Sequence, residues 1–109
     1  MNAESLTARL DKLAQTFPGI TTTGSCKKTS YKTKGKKSFL FLGMGKGDVP
    51  ELMLKLQESI KDAQQLQDES PSLCKVGKGG WVTVRFDPTD QLDPEQLEQW
   101  IRESFHLFS

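Results

Sequence analysis

The stretch KKTSYKTKGKKSFLFLG, Lys27–Gly43, changes character at its middle. Its first half is lysine, threonine and serine around one tyrosine, and its second half is a run of aromatic and aliphatic side chains. Thr29 to Thr33 suits a strand with Tyr31 on one face and Ser30 and Lys32 on the other, because β-branched and aromatic residues fit a pleated surface. Lys34-Gly35-Lys36-Lys37 supplies the glycine a tight turn needs, and Ser38 to Met44 reads as a strand apolar on both faces. The segment is thus a β-hairpin with a lysine tip.

Outward from this hairpin the pattern alternates between helical and extended periods. Leu6, Leu10, Leu13, Ala14 and Phe17 recur at helical spacing, so residues from about 4 to 16 form an amphipathic helix capped by Ser5 or Asn2 and stopped by Pro18-Gly19. Ile20 to Thr23 is a short β-branched strand. Leu52, Leu54 and Leu56 alternate with period two, which favours a strand over 51–56 despite the helix-like Asp48 and Pro50 before it. A helix follows, with Ser59 and Asp62 forming a capping box and Ile60, Ala63 and Leu66 facing inward. Gly77, Gly79 and Gly80 make a second turn, flanked by Lys75 and Lys78, before the alternating strand Trp81 to Phe86. Asp93-Pro94-Glu95 opens a last helix whose buried stripe is Leu97, Trp100, Ile101, Ser104 and Phe108, with Glu98 and Arg102 as a surface pair. The expectation is one α+β domain over 1–109, with three helices against a mostly antiparallel sheet of about five strands.

At 109 residues, with 35% hydrophobic and 27% charged residues, the chain is of ordinary globular composition. Net charge is only +1, so basicity overall implies no polyanionic partner, but the charges are sorted along the chain. Seven lysines and no acid lie between Cys26 and Gly47, whereas six acids lie in each of the stretches Asp48–Ser70 and Arg85–Ser109. The start MNAESLTARL has neither a basic nor an apolar leader region, and no apolar run reaches membrane-spanning length. Cys26 and Cys74 are too few for a disulfide scaffold and suit reduced thiols in a cytoplasmic protein.

The segments FPGI at 17–20, SCKKTSYKTKGKKSFLFLG, LMLKL, GKGGWVTVRF and the closing WIRESFHLF together resemble the YjbR/MmcQ-like proteins, over about Leu6 to Phe108. These are small bacterial domains to which DNA binding is ascribed. The resemblance implies an α/β domain with an antiparallel sheet, related in shape to frataxin-like folds, and two hairpins compared to a double wing. Such proteins often end in a serine–tyrosine pair, where this chain has Ser104-Phe105 and so lacks a tyrosine hydroxyl.

The candidate nucleic-acid-binding residues are the lysines of the two hairpins: Lys27, Lys28, Lys32, Lys34, Lys36 and Lys37 on the first, Lys75 and Lys78 on the second. Lysines on protruding hairpins reach phosphates without strict base geometry, although lysines on an edge hairpin also guard against strand-to-strand aggregation. With no arginine or asparagine beside them, little sequence preference is expected. Trp81, with Thr83 and Arg85 on its face, is a candidate stacking platform or a packing residue. The acids Asp87, Asp90, Asp93, Glu95, Glu98 and Glu103 make an alternative surface for a basic protein partner or a weakly held cation.

Enzyme signatures are incomplete. Gly35-Lys36-Lys37-Ser38 resembles a phosphate-binding loop, but Ser30 replaces its first glycine. In Gly43-Met44-Gly45-Lys46-Gly47 the third glycine of a dinucleotide fingerprint comes one residue early. His106 and two distant cysteines do not make a zinc site. The chain reads as a non-enzymatic binding domain with no cofactor and no metal.

Overall fold

The computed structural model describes residues 2–25, 27–87 and 89–109; Cys26, one of the two thiols considered above, lies outside them. Within the described residues the order is α1 (Ala3–Gln15), β1 (Thr21–Ser25), β2 (Lys28–Lys32), β3 (Ser38–Met44), β4 (Pro50–Lys55), α2 (Ile60–Glu69), β5 (Cys74–Val76), β6 (Trp81–Arg85) and α3 (Pro94–Phe108). The six strands form one sheet of order β1-β2-β3-β4-β6-β5, with every neighbouring pair antiparallel. The α+β class stands as expected, with one strand more than the sequence suggested. The addition is β5, a three-residue strand too short to show a period of its own.

Alternation decides which face of the sheet is buried. Leu40 and Leu42 pair with Leu54 and Leu52, which pair in turn with Val82 and Val84. All six are essentially inaccessible to solvent and join Leu6, Leu10 and Ala14 of α1 and Leu97, Trp100 and Ile101 of α3 in one core. Each fully buried leucine contributes about 1.5–3 kcal/mol. The same alternation sends Phe41, Met53, Trp81, Thr83 and Arg85 to the other face, where all five remain partly exposed.

The pairing of β2 with β3 is broken at one place. Tyr31 lies opposite Leu40, but Lys32 lies opposite Ser38, leaving Phe39 as an extra residue in a β-bulge. The bulge turns the Phe39 side chain inward, where its ring meets Phe17 and Phe105 at centroid distances of 6.0 and 5.3 Å. The Phe39 carbonyl lies just beyond the last β3–β4 pair, Leu40 with Leu54. Ser104 of α3, fully buried, donates its hydroxyl to that carbonyl at 2.6 Å and accepts the Lys55 N–H at 3.1 Å. One side-chain oxygen thus stands in for a backbone rung between β3 and β4.

Three local expectations are corrected by tertiary contacts. Ser59 is the N-cap of α2 but makes no capping bond; its hydroxyl donates instead to Glu103 at 2.7 Å. Glu98 pairs with Arg9 of α1 at 2.9 Å rather than with Arg102. Phe105, not Phe108, completes the buried stripe of α3. The caps of the other two helices form, through Asn2 to the Ser5 N–H and Asp93 to the Glu95 N–H.

Ser104→Ala strands the buried Phe39 carbonyl and removes the partner of the part-buried Lys55 N–H, so it is expected to destabilise the fold by about 1–3 kcal/mol. Urea unfolding measures this, and an unchanged midpoint would show that the hydroxyl carries no weight.

Candidate functional site

Register fixes which loops share an end of the sheet. Lys32 lies opposite Thr21, Lys55 opposite Trp81, and Val76 opposite Val82. The turns 33–37 and 77–80 therefore open at the same end, together with the start of β1 and the exit of β4. From the midpoint of β2 and β3 to that of β6 and β5 is three strand spacings, about 14 Å.

Each turn is closed by its own backbone. In the first, the Thr33 N–H donates to the Lys37 carbonyl at 2.9 Å and the Lys36 N–H to the Thr33 carbonyl at 2.8 Å. Lys36 adopts a φ of 63°, a left-handed conformation that favours glycine, and so projects from the tip under mild strain. In the second turn, the Gly77 N–H donates to the Trp81 carbonyl at 2.7 Å. Gly80 has a φ of 85°, and a side chain there would collide with the Leu56 carbonyl, whose residue's N–H bonds the Gly80 carbonyl. No larger residue fits where β4 and β6 approach this closely.

The eight candidate lysines divide into groups. Lys34, Lys36, Lys37 and Lys78 are exposed at the shared end, with Lys32 at the base of the first turn. Lys75 is a strand residue opposite Thr83, and it lines a depression of about 220 Å³ with Lys46 and Arg85. Lys27 and Lys28 stand at the other end of β2 and are both neutralised. Lys27 pairs with Asp48 at 2.8 Å in the open, and Lys28 with the nearly buried Glu51 at 3.0 Å. Among the described residues the only other ion pair is Arg9–Glu98, so the turn lysines have no carboxylate partner. Glu58, exposed after β4, is an acid in the segment leaving this same end.

Trp81 lies between Phe41 and Phe108, at 6.2 and 6.0 Å, on the partly exposed sheet face. The Lys55 ammonium sits 5.7 Å from the Phe108 ring centroid, a cation–π distance. Lys46, Lys55 and Arg85 were not among the candidate phosphate-binding residues from sequence, although Arg85 was noted on the face of Trp81. The alternation that put Arg85 beside Trp81 carried the signal for one of them, and Lys55 was masked by its place in an apolar strand.

Several of the other groups singled out in the sequence have structural uses. Asp93 caps α3, Glu98 holds Arg9, and Glu103 accepts from the Ser59 hydroxyl and from the N–H groups of Gln57 and Ser59. Burial pushes the Glu103 carboxyl up, but these bonds outweigh it and hold the group below the usual carboxylate range. Cys74 is buried with its thiol against the Ala63 carbonyl at 3.5 Å, and burial pushes it up to about 11, which suppresses the thiolate a nucleophile needs. Tyr31 donates its hydroxyl to Asp11; burial first, and then that bond, raise it above the ordinary phenol value. Among the described residues no cluster of three or more His, Cys, Asp or Glu is placed to hold a metal, and no helix is long and apolar enough to cross a membrane.

One polar atom stands apart. Thr33 is buried at the start of the lysine turn, and its Oγ1 has no hydrogen-bond partner. An unpaired buried hydroxyl costs about 1–3 kcal/mol.

Comparison with known proteins places these features in a family. The YjbR family model matches residues 15–107. Protein DR2400 of Deinococcus radiodurans, described with a DUF419 domain, superposes with a TM-score of 0.70 at 19% identity, over 92% of this chain and 75% of that one. A protein from Pseudomonas syringae superposes with a TM-score of 0.64 at 18% identity, over the whole of both chains. At these identities the likeness is one of fold. No curated protein matches the sequence.

Because the folded Glu103 carboxyl lies below its unfolded value, its bonds stabilise fully above the ordinary carboxylate range of about 4.3 and are lost as pH falls through the lower folded value. Glu103→Gln is expected to lower the melting temperature at pH 7, with the gap to wild type closing below about pH 4. A gap independent of pH would remove the carboxylate from this role.

Proposed function

We propose, starting from the chain's membership of the YjbR family, that this is a non-enzymatic cytoplasmic domain that binds nucleic-acid backbone through its two lysine turns. The observation that carries the reading is the shared end. Lys34, Lys36 and Lys37 on one turn and Lys78 on the other project from one side of the molecule without ion-pair partners among the described residues. The two strand pairs that carry the turns lie about 14 Å apart across the sheet, comparable with the roughly 12 Å width of a major groove, which suits the turns to phosphates on either side of one.

Lysine ammonium groups act as point charges, without the planar fork that reads a guanine edge. The binding is therefore indifferent to sequence. Lys32 adds a fifth charge at the base of the first turn, while Lys27 and Lys28 contribute little because Asp48 and Glu51 already neutralise them. Of the helix acids, Glu103 stands at the exit of β4, on the same end as the turns, where it is engaged by Ser59 and the Gln57 N–H.

With about five phosphate contacts, log affinity should fall against log salt with a slope near −4 to −5. Fluorescence anisotropy with a labelled generic duplex at about 50 and 200 mM salt measures it, a range over which binding weakens by several hundred-fold. The variant Lys34→Glu, Lys36→Glu, Lys37→Glu should abolish binding, whereas Lys27→Glu at the opposite end should leave it unchanged. No binding at the lower salt, or equal loss in both variants, overturns the reading.

A further inference from the structure

A groove of about 900 Å³ opens beneath the first lysine turn, between that turn, the bend after α1 and the C-terminal end of α3. Its walls include Pro18, Phe105 and Phe108, and its rim carries Lys34 and Lys37. Thr33, with the unpartnered buried hydroxyl, lines the same groove. From this juxtaposition we propose that the groove binds a small amphipathic carboxylate, a medium-chain acyl or aryl acid free in solution.

The chemistry of the lining selects this class. Its volume lies within the range of small-molecule sites, and apolar walls with a few convergent polar groups are their usual form. A cationic ligand is disfavoured by two lysines with no Asp or Glu side chain among the lining residues. A bare inorganic anion would satisfy the lysines but leave the partly exposed Phe108 ring in contact with water. A neutral apolar molecule would cover that ring and desolvate the lysines without pairing them. A carboxylate on an apolar body meets both demands, with charge-assisted bonds from Lys34 and Lys37. His106, also on the lining, adds a third nitrogen-bearing side chain. The Thr33 hydroxyl is a donor that the free protein leaves unused, and a bound acceptor would use it.

This assignment stands independently of nucleic-acid binding, although Lys34 and Lys37 would serve both. An occupied groove would draw their charge away from phosphate, so the acid would compete with the backbone for the first turn.

The test is a titration of the full chain, followed by two-dimensional amide NMR, with octanoate, 1-octanol and acetate in the absence of nucleic acid. Octanoate is expected to bind at least about tenfold more tightly than either control, because each control lacks one half of the recognition. Shifts should concentrate in residues 33–37 and 105–109. Thr33→Val keeps the shape and removes the unpaired hydroxyl. It should leave the melting temperature of the free protein unchanged or raised, while weakening octanoate by about three- to tenfold. Lys37→Gln should weaken it by a similar or larger factor. Octanol binding as well as octanoate, or wild-type octanoate affinity in both variants, overturns the proposal. Octanoate binding by a protein that fails to bind the duplex would leave this site standing and remove the nucleic-acid reading alone.

Discussion

The hydroxyl of Ser104 bridging the Phe39 carbonyl and the Lys55 N–H is the contact on which the arrangement turns. It sits where β3 and β4 stop pairing, just beyond Leu40 and Leu54 and beside the bulge in the β2–β3 pairing. A larger side chain would prise the strands apart, and an alanine would leave the buried Phe39 carbonyl and the part-buried Lys55 N–H unmatched. By locking α3 to the sheet at this position, the serine brings Phe105 against Phe39 and Phe17. The next residue back, Glu103, is delivered to the start of α2. Two consecutive residues of one helix therefore fasten the sheet and a second helix to the same end of the molecule.

Electrostatics sorts the surface by the same geometry. The lysines nearest the β1–β2 connection find carboxylates from the β3–β4 side, because Gly43 and Met44 run alongside Lys27 and Lys28. At the opposite end the turns contain lysine, glycine and threonine only, and among the described residues no acid forms an ion pair with their lysines. The uneven charge along the sequence becomes an uneven charge in space only at this second end. Lysines close in sequence thus have different fates, and the length of strand β2 separates them.

Much of the architecture was legible from period alone. Leu52, Leu54 and Leu56 marked β4 although Asp48 and Pro50 suggested a helix, since a buried sheet face enforces alternation whatever precedes it. The last helix announced itself through Asp93 and Pro94. The contacts that escaped were those in which distant segments outbid neighbours. Arg9 took Glu98 from Arg102, and Glu103 took the Ser59 hydroxyl from its own helix, because a partner across an interface is more constrained than one on an exposed turn. The bulge at Phe39 left no trace in a strand apolar on both faces, where one extra apolar residue looks like any other. The groove was illegible for a similar reason: its walls come from three separated segments, and the one atom that marks it, the Thr33 hydroxyl, is conspicuous only once its surroundings are known.

The bulge also has a bearing on aim. In a regular hairpin, successive residues face opposite sides, so adding or removing one rotates everything beyond it by half a turn. Phe39 is that one residue, placed between the fixed body of the sheet and the Lys34–Lys37 loop. The heading of the loop is thus set by a single insertion in the interior, like a compass needle offset by one notch. A chain identical in composition but lacking that notch would carry the same charges and point them elsewhere.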